Sequence, residues 1–197
     1  HQNRKGVSFL EYDLDLLRRL AKKNLSEKRF RHTECVVAQA RKLARLYGCD
    51  ELKAVTAAWM HDVCKEMKPE EQLHWIEKYG MILDDVQRSQ PKTWHGMAAC
   101  GYMKCKAGIT DPEILDAVRY HTTARGKMTD LDEVVYLADL TSADRQYEEI
   151  EHMRKLAETA LKPAMKYAMQ YALGDLVSRG QGISIDSFEA YNHYTQF

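Results

Sequence analysis

The sequence predicts an all-α protein, folded as a single helical bundle, and three observations predict it. Apolar residues return at helical spacing along almost the whole chain, no convincing apolar–polar alternation appears, and only 10 Gly and 4 Pro interrupt 197 residues. Hydrophobic residues make up 45% of the chain, a globular composition, and this length fills one core more readily than two. No linker, repeat or low-complexity tract divides the sequence. Residues 12–197 therefore read as one domain, with 1–11 an N-terminal extension or an appended remnant whose polar start, His1 to Lys5, is not a signal peptide.

Helices are expected at about 10–24, 26–47, 50–67, 69–79, 92–107, 111–123, 130–141, 147–160, 163–179 and 184–194. The first leads into a basic run, Arg18, Arg19, Lys22, Lys23, Lys28, Arg29 and Arg31, opposed only by Glu27, which reads as a solvated face. The second starts at Ser26 with Arg29 and carries a stripe from His32 through Val36, Ala40, Leu43 and Tyr47. The third puts His61 on a face with Ala54, Ala57 and Ala58, small enough for a neighbouring helix to approach closely. His95 precedes Ala98, Ala99 and Tyr102 at the same spacing, and Asp111-Pro112 caps and opens the next helix, whose stripe Ile114, Ala117, Val118 ends on His121. Asp139 lies one turn after Val135 and two after Leu131 and Asp132. The Met165, Met169 and Tyr167, Tyr171 pairs read as core or as a partner-facing stripe. Gly48, Gly80, Gly108, Gly126 and Gly180 supply the stops.

The 29 basic and 29 acidic residues balance. That argues against gripping a long nucleic acid, which depends on neutralising phosphates, and leaves room for a small phosphorylated ligand met by a few local cations. No apolar run is long enough for a membrane span. Cys35, Cys49, Cys64, Cys100 and Cys105 form no C-x-x-C and are odd in number, so they read as reduced thiols in a cytoplasmic protein. Cys100 and Cys105 share no helix face, which makes a thiolate metal site a poor reading. His74, His152 and His193 sit among polar neighbours, as surface residues do. Trp59, Trp75 and Trp94 read as packing, with Trp94 beside His95 bordering any pocket there.

His32, His61, His95 and His121, with Asp62 and Asp139, carry the chemistry. Each histidine points toward the expected buried side of its helix. Ordinary core hydrogen bonds explain any one such histidine, and His-Asp alone is a common dipeptide. The joint set is different: a buried carboxylate needs a cation, each buried imidazole needs partners for two nitrogens, and a shared metal centre meets both demands. In the expected helix 50–67, His61 and Asp62 differ by about 100° and straddle the inward edge. Asp62 is then able to bridge two ions, and Lys65, one turn on from His61, reaches toward a bound phosphate.

The order H…HD…H…H…D on helices is similar to that of the HD-domain metal-dependent phosphohydrolases. The segments Arg29-Phe30-Arg31-His32-Thr33, His61-Asp62-Val63-Cys64-Lys65, Trp94-His95-Gly96, Arg119-Tyr120-His121-Thr122-Thr123 and Tyr136-Leu137-Ala138-Asp139 resemble more specifically the YqeK family, over nearly the whole chain after about residue 12. The resemblance implies a symmetrical bis(5'-nucleosyl)-tetraphosphatase that splits diadenosine tetraphosphate into two ADP at a di-iron centre. By position it implies His32, His61, Asp62, His95, His121 and Asp139 as metal ligands with Asp62 bridging, Asp62 and Lys65 as catalytic, and Arg29, Lys65, Thr122, Thr123, Arg125 and Arg145 around the nucleotide. Two departures stand out. The family commonly has Gly where this chain has Ala124, and an Ile-Glu-Pro stretch where this chain has Thr141-Ser142-Ala143.

The reaction so implied is attack by a metal-bound hydroxide on a central phosphorus, with no Ser or Cys nucleophile. The donor set itself suits manganese, cobalt or zinc as well as iron. Rival readings are an HD phosphohydrolase acting on another nucleotide and a non-catalytic nucleotide sensor. A homodimer is compatible with a compact helical enzyme of this size, though the sequence displays no diagnostic interface.

Overall fold

The computed structural model describes residues 12–197; the expectations for 1–11 lie outside them. Eleven helices and one short 3-10 turn occur among the described residues, and no strand. They are α1 (Leu14–Asn24), α2 (Glu27–Tyr47), α3 (Glu51–Met60), α4 (Pro69–Tyr79), α5 (Asp85–Ser89), a 3-10 turn (Pro91–Thr93), α6 (Trp94–Ala107), α7 (Pro112–Arg119), α8 (Asp130–Thr141), α9 (Ile150–Ala157), α10 (Leu161–Ser178) and α11 (Ile185–Tyr194). No helix among the described residues is long and apolar enough to cross a membrane.

Local chemistry accounts for most of the boundaries. Ser26 Oγ accepts from Arg29 N at 3.3 Å, and Asp111 accepts from Glu113 N at 2.9 Å with Pro112 in the first turn. Four helices stop on a left-handed glycine: Gly48, Gly80, Gly108 and Gly180. Gly126 does not do so. The left-handed residues of that loop are Ala124, with φ 57°, and Lys127, with φ 58°, while Gly126 packs against Glu189.

Three expectations need correction. The third helix does not run to residue 67 but ends at Met60, and the chain continues in tight turns closed by i→i−3 bonds from Val63 to Met60, Lys65 to Asp62 and Met67 to Cys64. The tightening frees the Ala58 carbonyl, which accepts from His61 Nδ1 instead. The helix begun at Pro112 ends at Arg119 for a related reason, since Val118 O takes the His121 Nδ1 proton. The short helix α5 was not expected, although Asp84 and Gln87 form a capping box at its start.

Packing follows the apolar stripes. α2 lies against α3 and α8, α7 bridges α3, α6 and α8, and α4 pairs with α6. In the α4–α6 crossing, a Cβ on Gly101 would sit 2.0 Å from Trp75 O, so only glycine permits that approach. The Ala54, Ala57 and Ala58 face is fully buried, as are Met165 and Met169, whereas Tyr171 is exposed. The basic side chains Arg18, Arg19, Lys22, Lys23, Lys28 and Arg31 are exposed, and Arg29 alone of that run turns inward.

Candidate metal centre

Five elements deliver the six predicted residues to one point. His32 comes from the second turn of α2, His61 and Asp62 from the end of α3, His95 from the first turn of α6, His121 from the turn after α7, and Asp139 from α8. All four histidines and Asp62 are buried.

Three of the imidazoles share one device. His61, His95 and His121 each donate from Nδ1 to the carbonyl three residues earlier, Ala58 at 2.7 Å, Lys92 at 3.0 Å and Val118 at 2.7 Å. A carbonyl only accepts, so the proton sits on Nδ1 and Nε2 turns a lone pair inward. His95 Nε2 lies 3.1 Å from His121 Nε2 and 3.2 Å from Asp62 Oδ1, and His121 Nε2 lies 3.6 Å from the same oxygen. On the other side, Asp62 Oδ2 is 3.5 Å from His61 Nε2 and 3.9 Å from His32 Nε2, which is 3.0 Å from Asp139 Oδ1. The two oxygens of Asp62 therefore face two different histidine sets.

Burial is the largest single influence on His61, His95, Asp62 and Asp139. It lowers His61, and it lowers His95 to about 4, so both rings stay neutral and keep the inward lone pair. Burial pushes Asp62 and Asp139 up, but the polar contacts of the cluster outweigh it, for Asp139 chiefly the hydrogen bond from His32 and the charge of Arg145, and both carboxylates lie well below the usual range. His61 Nε2 is fully buried with no hydrogen-bond partner. Such an orphan is costly unless something binds it. The residues fit a cation: His32, His61 and Asp139 form one group, and His61, Asp62 and His121 another, each with ligand atoms within 4.8 Å of one another.

The family description HD domain matches residues 29–144, a span that contains every member of this cluster. The chain is 34% identical to the symmetrical bis(5'-nucleosyl)-tetraphosphatase of Bacillus subtilis (strain 168), over 87% of this chain and 91% of that one. It belongs to the HD domain family. A second relative of the same description, from Halalkalibacterium halodurans, is 31% identical over 88% of this chain and 92% of its own length. A crystal structure from Clostridium acetobutylicum, described as a predicted HD superfamily hydrolase involved in NAD metabolism, superposes with a TM-score of 0.90 at 28% identity, covering 94% of this chain and 98% of that one.

Around the HD cluster, the remaining predicted residues divide. Arg29 Nη1 reaches Asp62 Oδ2 at 3.1 Å, Arg145 Nη2 reaches Asp139 Oδ1 at 2.5 Å, and Lys65 Nζ comes to 3.3 Å from His95 Nε2. Burial pushes the Lys65 ammonium down, with Asp62 pulling it back up. Arg29 and Arg145 line a cleft of about 680 Å³ that opens on His32, with Lys28, Asp144 and Tyr147 among its other walls. Arg125 is held instead by Asp132 at 2.7 Å and Asp116 at 3.1 Å. Thr123 Oγ1 donates to Ala124 O at 2.9 Å, and Thr122 Oγ1 is buried without a partner. Sequence reasoning missed Asp144, whose Oδ2 accepts from His32 Nδ1 at 2.7 Å. No local pattern marks it, because the contact spans 112 positions.

Proposed function

We propose that this chain hydrolyses diadenosine tetraphosphate at its central anhydride, giving two ADP. The observation that carries the reading is Asp62, whose two oxygens each face a separate pair of imidazole nitrogens in a buried cluster. Relatives named symmetrical bis(5'-nucleosyl)-tetraphosphatase, matched over most of their length, support the substrate. The balanced charge of the chain favours a small nucleotide over a polymer. The unpaired cysteines support a reducing, cytoplasmic setting.

His32, His61, Asp139 and Asp62 Oδ2 would hold one divalent ion, and His95, His121 and Asp62 Oδ1 a second, iron by family resemblance and manganese, cobalt or zinc by donor type. Such ions supply Lewis acidity toward water and phosphoryl oxygens. The protein contributes the rest. Asp62 stays ionised and spans the two positions. The imidazoles are fixed in the tautomer that presents Nε2. Lys65, Arg29 and Arg145 converge on the same point, where their charge meets the negative charge that builds on the phosphoryl group as the bond breaks. The cleft beside Arg29 and Arg145 would seat one nucleotide half, so that the middle anhydride faces the cluster and the products are equal.

Incubation with diadenosine tetraphosphate and ferrous or manganous ion, followed by chromatography, tests this. The expected products are two ADP per substrate. His61→Ala and Asp62→Ala should each lower turnover by more than about 100-fold, since even outer partners of a metal site are worth 10–100-fold, with helix content retained by circular dichroism. Full activity in either variant, ATP with AMP as products, or binding without turnover overturns the proposal; the last outcome identifies a sensor.

A further inference from the structure

His32 breaks the pattern of the other three histidines. Its Nδ1 has no backbone acceptor, because His32 lies inside α2 and the Arg29 carbonyl three residues earlier accepts instead from Thr33 Oγ1 at 3.1 Å. A side-chain carboxylate takes the place of the carbonyl: Asp144 Oδ2, at 2.7 Å. The three backbone-held rings lean on a neutral dipole. His32 leans on a full negative charge.

The support behind Asp144 is elaborate for a turn. Ser142, fully buried, donates from Oγ to Asp144 Oδ1 at 2.7 Å, so both carboxylate oxygens are committed. Arg145 N closes the turn on Ser142 O at 3.0 Å. Arg154 of α9 then clamps it from outside, donating to the carbonyls of Thr141 at 3.2 Å, Ser142 at 2.9 Å and Arg145 at 3.2 Å. The neighbouring guanidinium of Arg145 does not neutralise Asp144 by direct pairing, since it is spent on the oxygens Asp139 O and Oδ1. The turn includes Thr141-Ser142-Ala143, where the chain departs from the resembling family's Ile-Glu-Pro, immediately before Asp144.

We propose that Asp144, braced by Ser142 and by the Arg154-clamped turn, is the positioning residue of His32 and selectively strengthens the ion position that His32 serves. This rests on the metal-centre reading above. A carboxylate on the far nitrogen fixes the ring orientation and raises the basicity of Nε2 more than a carbonyl does. The effect belongs to one of the two ion positions, because His95 and His121 have their own carbonyl supports.

The test is uptake of manganous ion by chelator-stripped full-length chain, followed by calorimetry and by the electron paramagnetic resonance of the free ion. Wild type should take up ions in two resolvable steps. Asp144→Asn, which keeps an acceptor but not the charge, should weaken one step by about 10-fold, and Asp144→Ala, which removes both, by up to about 100-fold, the other step staying within about 2-fold. Ser142→Ala should weaken the same step by less. A second readout needs no metal: a slowly exchanging imidazole N–H proton resonance that is absent in His32→Ala should also be lost in Asp144→Ala. Unchanged uptake in both Asp144 variants, or equal weakening of the two steps, overturns the assignment while leaving the hydrolase reading intact. A wild-type chain that takes up no ion overturns both.

Discussion

Gly96 shows how tightly single residues set the centre. A Cβ built there would meet Arg119 O at 3.0 Å, Val118 O at 3.1 Å and His121 Nδ1 at 3.3 Å. Two of those atoms are backbone and cannot rotate away, and Val118 O is the acceptor that holds His121 in its tautomer. A methyl group at 96 therefore has to push the end of α7 from α6 and separate His95 from His121. Crowding of this kind costs about 1–3 kcal/mol, partly offset by the roughly 1 kcal/mol by which Ala outranks Gly within a helix. Gly96→Ala should thus lose no more than about 2 kcal/mol of stability in urea unfolding, yet lose about 10-fold or more in manganous-ion affinity, the scale of a disturbed outer partner. Intact ion uptake would show that the contact is merely packing. The thiols provide a second residue-scale test. Burial pushes Cys100 up to about 12, and Cys64 is equally shielded, while Cys105 is exposed. A thiol reagent at neutral pH should modify Cys105 readily and reach Cys64 and Cys100 only on unfolding; their rapid labelling in the native protein would contradict the burial.

Elements were legible where spacing and local caps decide them, and illegible where a distant contact does. The stripes on α2, α7 and α8 were readable because 3.6-residue periodicity is a property of the chain itself: His32 and His121 are buried, and Asp139, half-buried, meets His32 at 3.0 Å. The break after Met60 was not readable, since no Gly or Pro marks it. It depends on a ring nitrogen capturing the Ala58 carbonyl. Asp144 was invisible for the same reason, its partner lying in another element. The loop after α7 combines both cases. The resembling family commonly has Gly at 124, and the structure supplies the physics: Ala124 is buried with φ 57°. An L-residue in the left-handed region carries a cost of roughly 1–2 kcal/mol, of which glycine's greater freedom in the unfolded chain returns about 0.5–1. Ala124→Gly should accordingly stabilise the protein by about 0.5–1 kcal/mol in urea unfolding. A loss of stability would mean that the buried methyl contributes more than the backbone strain removes.

At the scale of the whole molecule, one buried carboxyl on α8 is held by both α10 and α11. Glu133 of α8 is fully buried, and its Oε1 accepts from Lys162 of α10 at 2.6 Å and from Tyr194 of α11 at 2.5 Å, while Oε2 has no partner. One residue thus ties three helices together, on the same helix as Asp139 but outside the metal cluster. Burial raises the Glu133 carboxyl above its ordinary range, the bonds from Lys162 and Tyr194 pulling it only part of the way back. The folded chain therefore keeps this proton to higher pH than the unfolded chain, whose glutamates titrate at about 4.3. Stability from the group is fully present below that unfolded value and is lost as pH rises through the folded one. Subtracting Glu133→Gln, which cannot titrate, isolates the effect from every other charge. The wild-type advantage over Glu133→Gln should shrink as pH climbs above about 4.3 and level off once the folded carboxyl has ionised. Tyr194→Phe removes one of the two donors and should cost about 1.5–3 kcal/mol, the range for a bond to a charged group. It should also displace the levelling-off to higher pH, because the ionised carboxyl then has less support. Urea midpoints of the three proteins across a pH series measure all of this, and a pH-independent difference between wild type and Glu133→Gln would remove Glu133 as the titrating link between core and C-terminal helices.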